Sequence, residues 1–381
     1  MLISSIYICP VRGMAGLEAP EPDRLGQAAR TAKSLGLERL VLPVIEECLF
    51  RTPKARVQYL DGLVRAMDRI HDGGLGVWLM APARRVLGLD WAPPYLVRAV
   101  QHPRGRAVFV DGKVSSLRPF EWWKDPSIVQ NRIRLFRDLV SAVQGHPALD
   151  AWIVLDRFLE WAHPDPQVAG FVFKAFLSEI REKDEQVEIH LGLGLSDVLN
   201  PKTPQVLAED VDGLRIGGLD GPPLEWHGLR NMIDEQRMAA YLGALCGWLF
   251  EKPAHIELGW GLLGETVDLE EWAASTETAS MKTLQGISWL NLVEPEPQRS
   301  GFPPWSLSEG LPRVGLLDPR LEPKPWVESW IDALRRSKEE MGNLDFIDIE
   351  REDYVDDPAT HFTRLWDHFR VSRGAGGRSF L

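Results

Sequence analysis

Three observations on the 381-residue chain predict its fold class. Strand-like runs alternate with helix-like runs from one end to the other. No second group of strands could build a sandwich. No glycine-rich phosphate fingerprint follows the first strand, and Gly192-Leu-Gly194 lacks the remaining glycine spacing. Together they point to an α/β chain folded as a (β/α)8 TIM barrel, with an inserted hairpin loop after strand three and a C-terminal helical extension. Strands separated by helices imply parallel pairing through right-handed crossovers.

The elements follow in order. Ser5–Cys9 reads as strand one, and Pro22–Leu35 as a helix stopped by Gly36. Arg39–Ile45 is strand two, ending in Glu46-Glu47. Leu60, Leu63, Val64, Met67 and Ile70 give Gln58–Ile70 helical spacing, and Leu75–Met80 is strand three. The inserted segment Ala81–Asp125 carries Trp91, Trp122 and Trp123. Within it Ala107–Val114 reads as a hairpin around Asp111-Gly112, a two-residue turn signal between β-formers.

Ser127–Val143 is the next helix, and Ala151–Leu155 is strand four, closed by Asp156-Arg157. Helix Val168–Glu182 leads to strand five, Val187–Gly192, and a short helix covers Thr203–Ala208. Strand six is Val211–Ile216, followed by a Gly/Pro loop through Pro223 and a long helix over Leu229–Phe250. Ala254–Glu257 is strand seven, Leu269–Leu284 a helix, and Gly286–Leu292 strand eight. A Pro-rich loop to Pro312 and helix Trp326–Ser337 complete the eight units.

The barrel is thus expected over residues 1–337, with 81–125 as its loop insertion and 338–381 as the extension. In the extension, Asp357-Pro358 opens an amphipathic helix with Phe362, Leu365, Trp366 and Phe369 on one face. That face is expected to pack on the barrel wall, with a protein partner as the alternative. Gly374–Gly377 reads as a loose tail.

Composition narrows the function classes. Hydrophobic residues make up 44% and charged residues 26%, the balance of a globular domain with a large core. A net charge of −12 argues against a nucleic-acid or anionic-membrane surface. Cys9, Cys48 and Cys246 are too widely spaced for a disulfide framework or a zinc site, and no His-x-His or His-Glu-x-x-His spacing suggests a metal. No cofactor is implied. The apolar N-terminal run has no basic flank or small-residue cleavage site. It reads as a strand, so a cytoplasmic location is the default expectation, with secretion left open. Fifteen tryptophans against five tyrosines supply both core bulk and flat faces on which sugar rings stack.

In a (β/α)8 barrel the reactive residues sit at the C-terminal ends of the strands. The polar residues at those positions are Glu46, Glu47, Asp156, Arg157, Glu160, His190, Arg215, Glu257, Asn291, Glu294 and Glu296, with Trp289 in strand eight. Glu257 stands out because an apolar run leads straight into it and the chain breaks just after, at Gly259-Trp260-Gly261. A carboxylate there needs a partner or a task.

At this point the chain resembles the clan A glycoside hydrolases, the cellulase-like superfamily of barrels. Pro253-Ala-His-Ile-Glu257-Leu-Gly259-Trp260 is similar to that clan's strand-seven motif. Val140–Leu155, containing His146-Pro147 and Trp152, is similar to its approach to strand four. Gly286-Ile-Ser-Trp289-Leu-Asn-Leu292, with Gly315-Leu-Leu-Asp318 and Pro323-Lys324-Pro325, is similar to its strand-eight ending. The resemblance covers residues 126–335.

It implies retaining cleavage of a β-linked glycan, with Glu257 as nucleophile and a second carboxylic acid as acid/base. For an oligo- or polysaccharide the binding candidates are Arg157, His190, Arg215 and Asn291 by their place at the mouth, Trp289 by its place in the resembling motif, and the loop residues Trp122, Trp123 and Trp260 as stacking faces, with a structural role as the alternative for His190, Arg215 and Trp289. The clan's second acid follows an Asn at the end of strand four, where this chain reads Asp156-Arg157. An Arg does not supply a proton usefully. Asp156 or Glu160 must then act as the acid, or the pocket binds sugar without cleaving it. The second outcome makes the protein a glycan-binding or scaffolding pseudoenzyme. An unrelated lyase or isomerase using His190 would need a phosphate or metal site that the sequence does not show.

Overall fold

The eight runs close into an all-parallel barrel whose strands neighbour one another in chain order. They are β1 (Leu2–Ile6), β2 (Arg39–Ile45), β3 (Gly76–Ala83), β4 (Leu149–Val154), β5 (Glu188–Gly194), β6 (Gly213–Gly217), β7 (Ala254–Leu258) and β8 (Gly286–Trp289). β8 returns to β1 with Gly286 opposite Leu2. The structure is a computed structural model that describes residues 1–12, 22–98, 106–110, 112–159, 164–217, 232–259, 285–307, 310–336 and 344–374. The expected helix Leu269–Leu284, the turn residue Asp111 and the loop through Pro223 lie outside the described residues, as do Glu160 and Trp260.

Several boundaries move, each for a local reason. β1 begins three residues earlier than expected, because its register sets Ser4 against Arg39 and Ser288 and the chain leaves the sheet after Ile6. β3 extends to Ala83, pairing with both β2 and β4. The helix expected from Gln58 starts at Pro53, where the Thr52 side chain accepts the Ala55 N–H and proline takes the first helical position. β8 ends at Trp289, so Asn291 lies beyond the strand rather than in it.

The insertion is larger than a hairpin. Arg85–Val86, Leu89–Trp91, Arg106–Val110, Lys113–Pro119 and Val97–Arg98 form a five-stranded sheet in that spatial order. The expected hairpin is its centre, with Val110 opposite Lys113 and Gly112 at φ 79°.

The C-terminal helix Pro358–Gly374 docks on the wall helix Met232–Phe250. Phe362, Leu365, Trp366 and Phe369 are all buried. The Tyr241 ring meets Phe362, Trp366 and Phe369 at centroid distances of 5.3–5.6 Å, and its hydroxyl donates to the Phe362 carbonyl at 2.7 Å. The apolar face once open to a protein partner is therefore taken by the protein's own wall.

Inside the barrel, contacts between non-adjacent strands identify the inward residues. Trp78 of β3 stacks on His190 of β5 at 4.5 Å and meets His255 of β7 edge-on at 4.7 Å. This aromatic layer fills the half nearer the strand starts. Above it, toward the C-terminal ends, the interior turns ionic: Arg215 of β6 reaches across to the Met80 sulfur of β3 at 3.4 Å.

Candidate functional site

The site begins with the turn that ends β4. Leu155 and Arg157 both adopt left-handed backbone, at φ 51° and 50°. For non-glycine residues this costs roughly 1–2 kcal/mol each, so the surrounding contacts must hold it. One such contact is the Arg157 N–H, which donates to the Gly192 carbonyl of β5 at 3.0 Å. Glycines on the neighbouring strands leave room for the turn. A Cβ on Gly192 would lie 2.7 Å from Asp156 Cα, and one on Gly217 would lie 2.5 Å from Arg157 Nη2.

The turn delivers Asp156 and Arg157 into a buried cluster with Arg215 and Glu257, all four of them 3% exposed or less. Glu257 Oε2 accepts a hydrogen bond from Arg215 Nη2. Glu257 Oε1 lies 3.7 Å from Arg157 Nη2. Arg215 Nη1 sits 3.6 Å from Asp156 Oδ1, and Asp156 Oδ2 accepts the Arg85 N–H at 3.3 Å. Two carboxylates therefore face two guanidinium groups, and the charges balance. Burial lowers the Arg215 pKa to about 10, Asp156 opposing the shift and Arg157 adding to it, so Arg215 stays cationic at neutral pH.

A second ionic group joins helix Pro126–Val143 to the end of β2, and two residues of the insertion, Tyr95 and Trp122, pack on it. Arg132 grips Glu46 with two 2.6 Å hydrogen bonds, Nε to Oε1 and Nη2 to Oε2. The Tyr95 hydroxyl donates to Glu46 Oε1 at 2.6 Å, and burial followed by the Glu46 charge pushes its pKa up. Trp122 covers Arg132, with the guanidinium carbon 3.7 Å from the ring centroid. Sequence reasoning found Glu46 but missed Arg132 and Tyr95. The available signal was Arg132 itself, a charge at an apolar position between Val129 and Phe136 in helix Pro126–Val143.

The predicted site residues separate into groups. Glu257, Asp156, Arg157 and Arg215 come together. Trp122 lies buried against Arg132, and half-buried Trp123 stands edge-on to it with centroids 6.0 Å apart. His190, expected at the mouth, sits lower, with Nε2 3.4 Å from Glu188 at the start of β5. The register pairs His190 with Gly213, two residues before Arg215, so its side chain enters the barrel one layer below Arg215. Trp289, expected to floor a sugar subsite, faces outward. Its indole donates to the Val314 carbonyl at 2.6 Å and packs on Trp326 and Trp330 of the last wall helix, Pro325–Arg336. Strand parity is the reason: Ser288 pairs with Glu257 on the inner face, which turns Trp289 to the outer one. Asn291 is fully buried and donates to the Val293 carbonyl, shaping its own loop. Among the described residues no group of His, Cys, Asp or Glu could hold a metal ion.

Solved structures of low sequence identity share this architecture. GH5_18 from Streptomyces cattleya, in complex with GlcNAc, superposes with a TM-score of 0.75 at 15% identity, covering 98% of this chain and 91% of that one. GH5_18 from Bifidobacterium longum subsp. longum gives 0.68 at 14% identity, over 90% and 80% of the two chains. The exo-beta-1,4-mannosidase of Opitutaceae bacterium strain TAV5 gives 0.70 at 15% identity, over 89% and 60%. No protein-family model and no curated protein matches the sequence. The fold is that of the clan A glycoside hydrolases. The similar structures carry the names of glycoside hydrolases and of a mannosidase, and what this chain shares with them is the (β/α)8 fold.

Proposed function

We propose that this barrel binds a β-linked glycan at its C-terminal mouth and does not cleave it. The observation that carries the reading is Arg157 facing Glu257. Under the clan resemblance, Glu257 stands at the nucleophile position and Arg157 at that of the acid/base. A guanidinium stays charged far above neutral pH and has no proton to give a leaving group. Loss of a positioned general acid alone removes about 10²–10⁴ in rate. Glu257 is meanwhile engaged by a cation at each oxygen.

Carbohydrate as the ligand class is supported by the company the fold keeps. The Streptomyces cattleya and Bifidobacterium longum GH5_18 structures include complexes with GlcNAc and Manb1-4GlcNAc. One observation favours a hydrolytic second reading: Arg215 contacts both Asp156 and Glu257, so two carboxylates share one guanidinium. Incubating the full chain with the disaccharide Man-β1,4-GlcNAc distinguishes the two. Calorimetric binding with the disaccharide recovered intact supports the proposal. Release of free mannose that disappears in Asp156→Asn and Glu257→Gln supports hydrolysis instead.

A further inference from the structure

A cavity of about 20 Å³ lies where the insertion meets the mouth, bounded by Glu46, Trp91, Trp122, Arg132, Asp156 and Phe158. That volume suits a single water-sized group. Three of its lining side chains each carry a buried polar atom without a hydrogen-bond partner among the described residues: Trp91 Nε1, Arg132 Nη1 and Asp156 Oδ1. Trp91 and Arg132 are 6% exposed and Asp156 1%. The remaining polar atoms of these side chains are otherwise engaged. Arg132 Nε and Nη2 hold Glu46, and Asp156 Oδ2 accepts the Arg85 N–H. Buried polar groups are nearly always satisfied, and these three side chains line one small cavity with room for a single shared ligand atom, Asp156 Oδ1 having only Arg215 Nη1 near it, at 3.6 Å.

The chemistry of the three selects that atom. Trp91 Nε1 and Arg132 Nη1 can only donate, and the Asp156 carboxylate accepts. The lining charges balance, Glu46 and Asp156 against Arg84 and Arg132, so neither an anion nor a metal cation is favoured there. An oxygen that accepts two hydrogen bonds and donates one fits all three. We propose that this cavity is a hydroxyl-binding site, held by one water in the free protein and by one hydroxyl of a glycan seated at the mouth. The second half rests on the glycan-binding reading above; the first does not. The site would make Trp91 and Arg132, neither from a barrel strand, determinants of which hydroxyl the mouth accepts.

Crystals of the full chain, free and with Man-β1,4-GlcNAc, test it, together with calorimetry on wild type and Trp91→Phe. The free crystal should show one ordered water within about 3.2 Å of Trp91 Nε1, Arg132 Nη1 and Asp156 Oδ1. In the complex a sugar hydroxyl should occupy that position. Trp91→Phe, which keeps a ring but removes the donor, should bind the disaccharide about five- to tenfold more weakly, the worth of one hydrogen bond. A cavity without the water, or a water beyond hydrogen-bond range of these atoms, overturns the site whatever the disaccharide does. A water in place with no disaccharide binding leaves the site standing and counts against the glycan reading. A disaccharide bound with the water undisturbed overturns the hydroxyl exchange.

Discussion

Arg157 Nη2 and Glu257 Oε1 lie 3.7 Å apart at the ends of β4 and β7, both almost wholly buried. Each would be a liability alone, since an unpaired charge in the interior is far costlier than a paired one. Arg157→Met and Glu257→Gln should each lower stability to urea unfolding by about 3–5 kcal/mol. The double variant should lose less than the sum of the two, because it removes both charges together. Additive losses would show that the pair is not coupled.

The space that Arg157 occupies depends on Gly217. A Cβ there would meet Nη2 at 2.5 Å, whereas a Cβ on Gly301 would meet nothing within 4 Å. Gly217→Ala should destabilise by about 1–3 kcal/mol through overpacking, while Gly301→Ala stays within about 0.5 kcal/mol. Chemical denaturation of the two side by side checks the claim.

Acid should attack the barrel from its interior. Burial holds the His255 pKa down to about 3, with His190 adding to the shift, and His190 is itself lowered by burial. A buried neutral histidine stabilises the fold above the unfolded-state value of about 6.5. That contribution is lost progressively as pH falls from about 6.5 toward 3. Between pH 6.5 and 5 most carboxylates remain ionised, so a fall in unfolding free energy there reports the histidines. His255→Gln should flatten the slope in that window, and an unchanged slope would remove His255 from the account.

The grip of Arg132 on Glu46 joins helix Pro126–Val143 to the end of β2, and Tyr95 and Trp122 of the insertion dock on that pair. Arg132→Met should leave Glu46 buried without its cation, at a cost of about 3–5 kcal/mol. It should also loosen Trp122. The expected signs are a red-shifted tryptophan emission and faster proteolysis within the insertion, read by limited digestion and mass spectrometry.

The barrel itself was legible because strand–helix alternation is a local, repeated signal, and β2 and the helix Pro22–Leu35 fall where the pattern puts them. The ionic cluster was partly legible, since Asp156, Arg157, Arg215 and Glu257 all lie at or near strand ends. What failed was direction and depth. Trp289 looked like a sugar platform until strand parity turned it toward Trp330, and His190 lies in the right strand but too near its start. The Glu46–Arg132–Tyr95 group joins residues 86 and 49 positions apart, a pairing that no local pattern records. Only the misfit of Arg132 on an apolar helix face hinted at it.

The most direct measurement compares wild type with Glu257→Gln in turnover of aryl β-mannoside and aryl β-glucoside. If Glu257 serves to hold Arg157 and Arg215, both proteins release no aryl alcohol above the uncatalysed blank. Wild-type release that falls by 10³-fold or more in Glu257→Gln, about the loss expected on removing an essential catalytic group, would contradict the account.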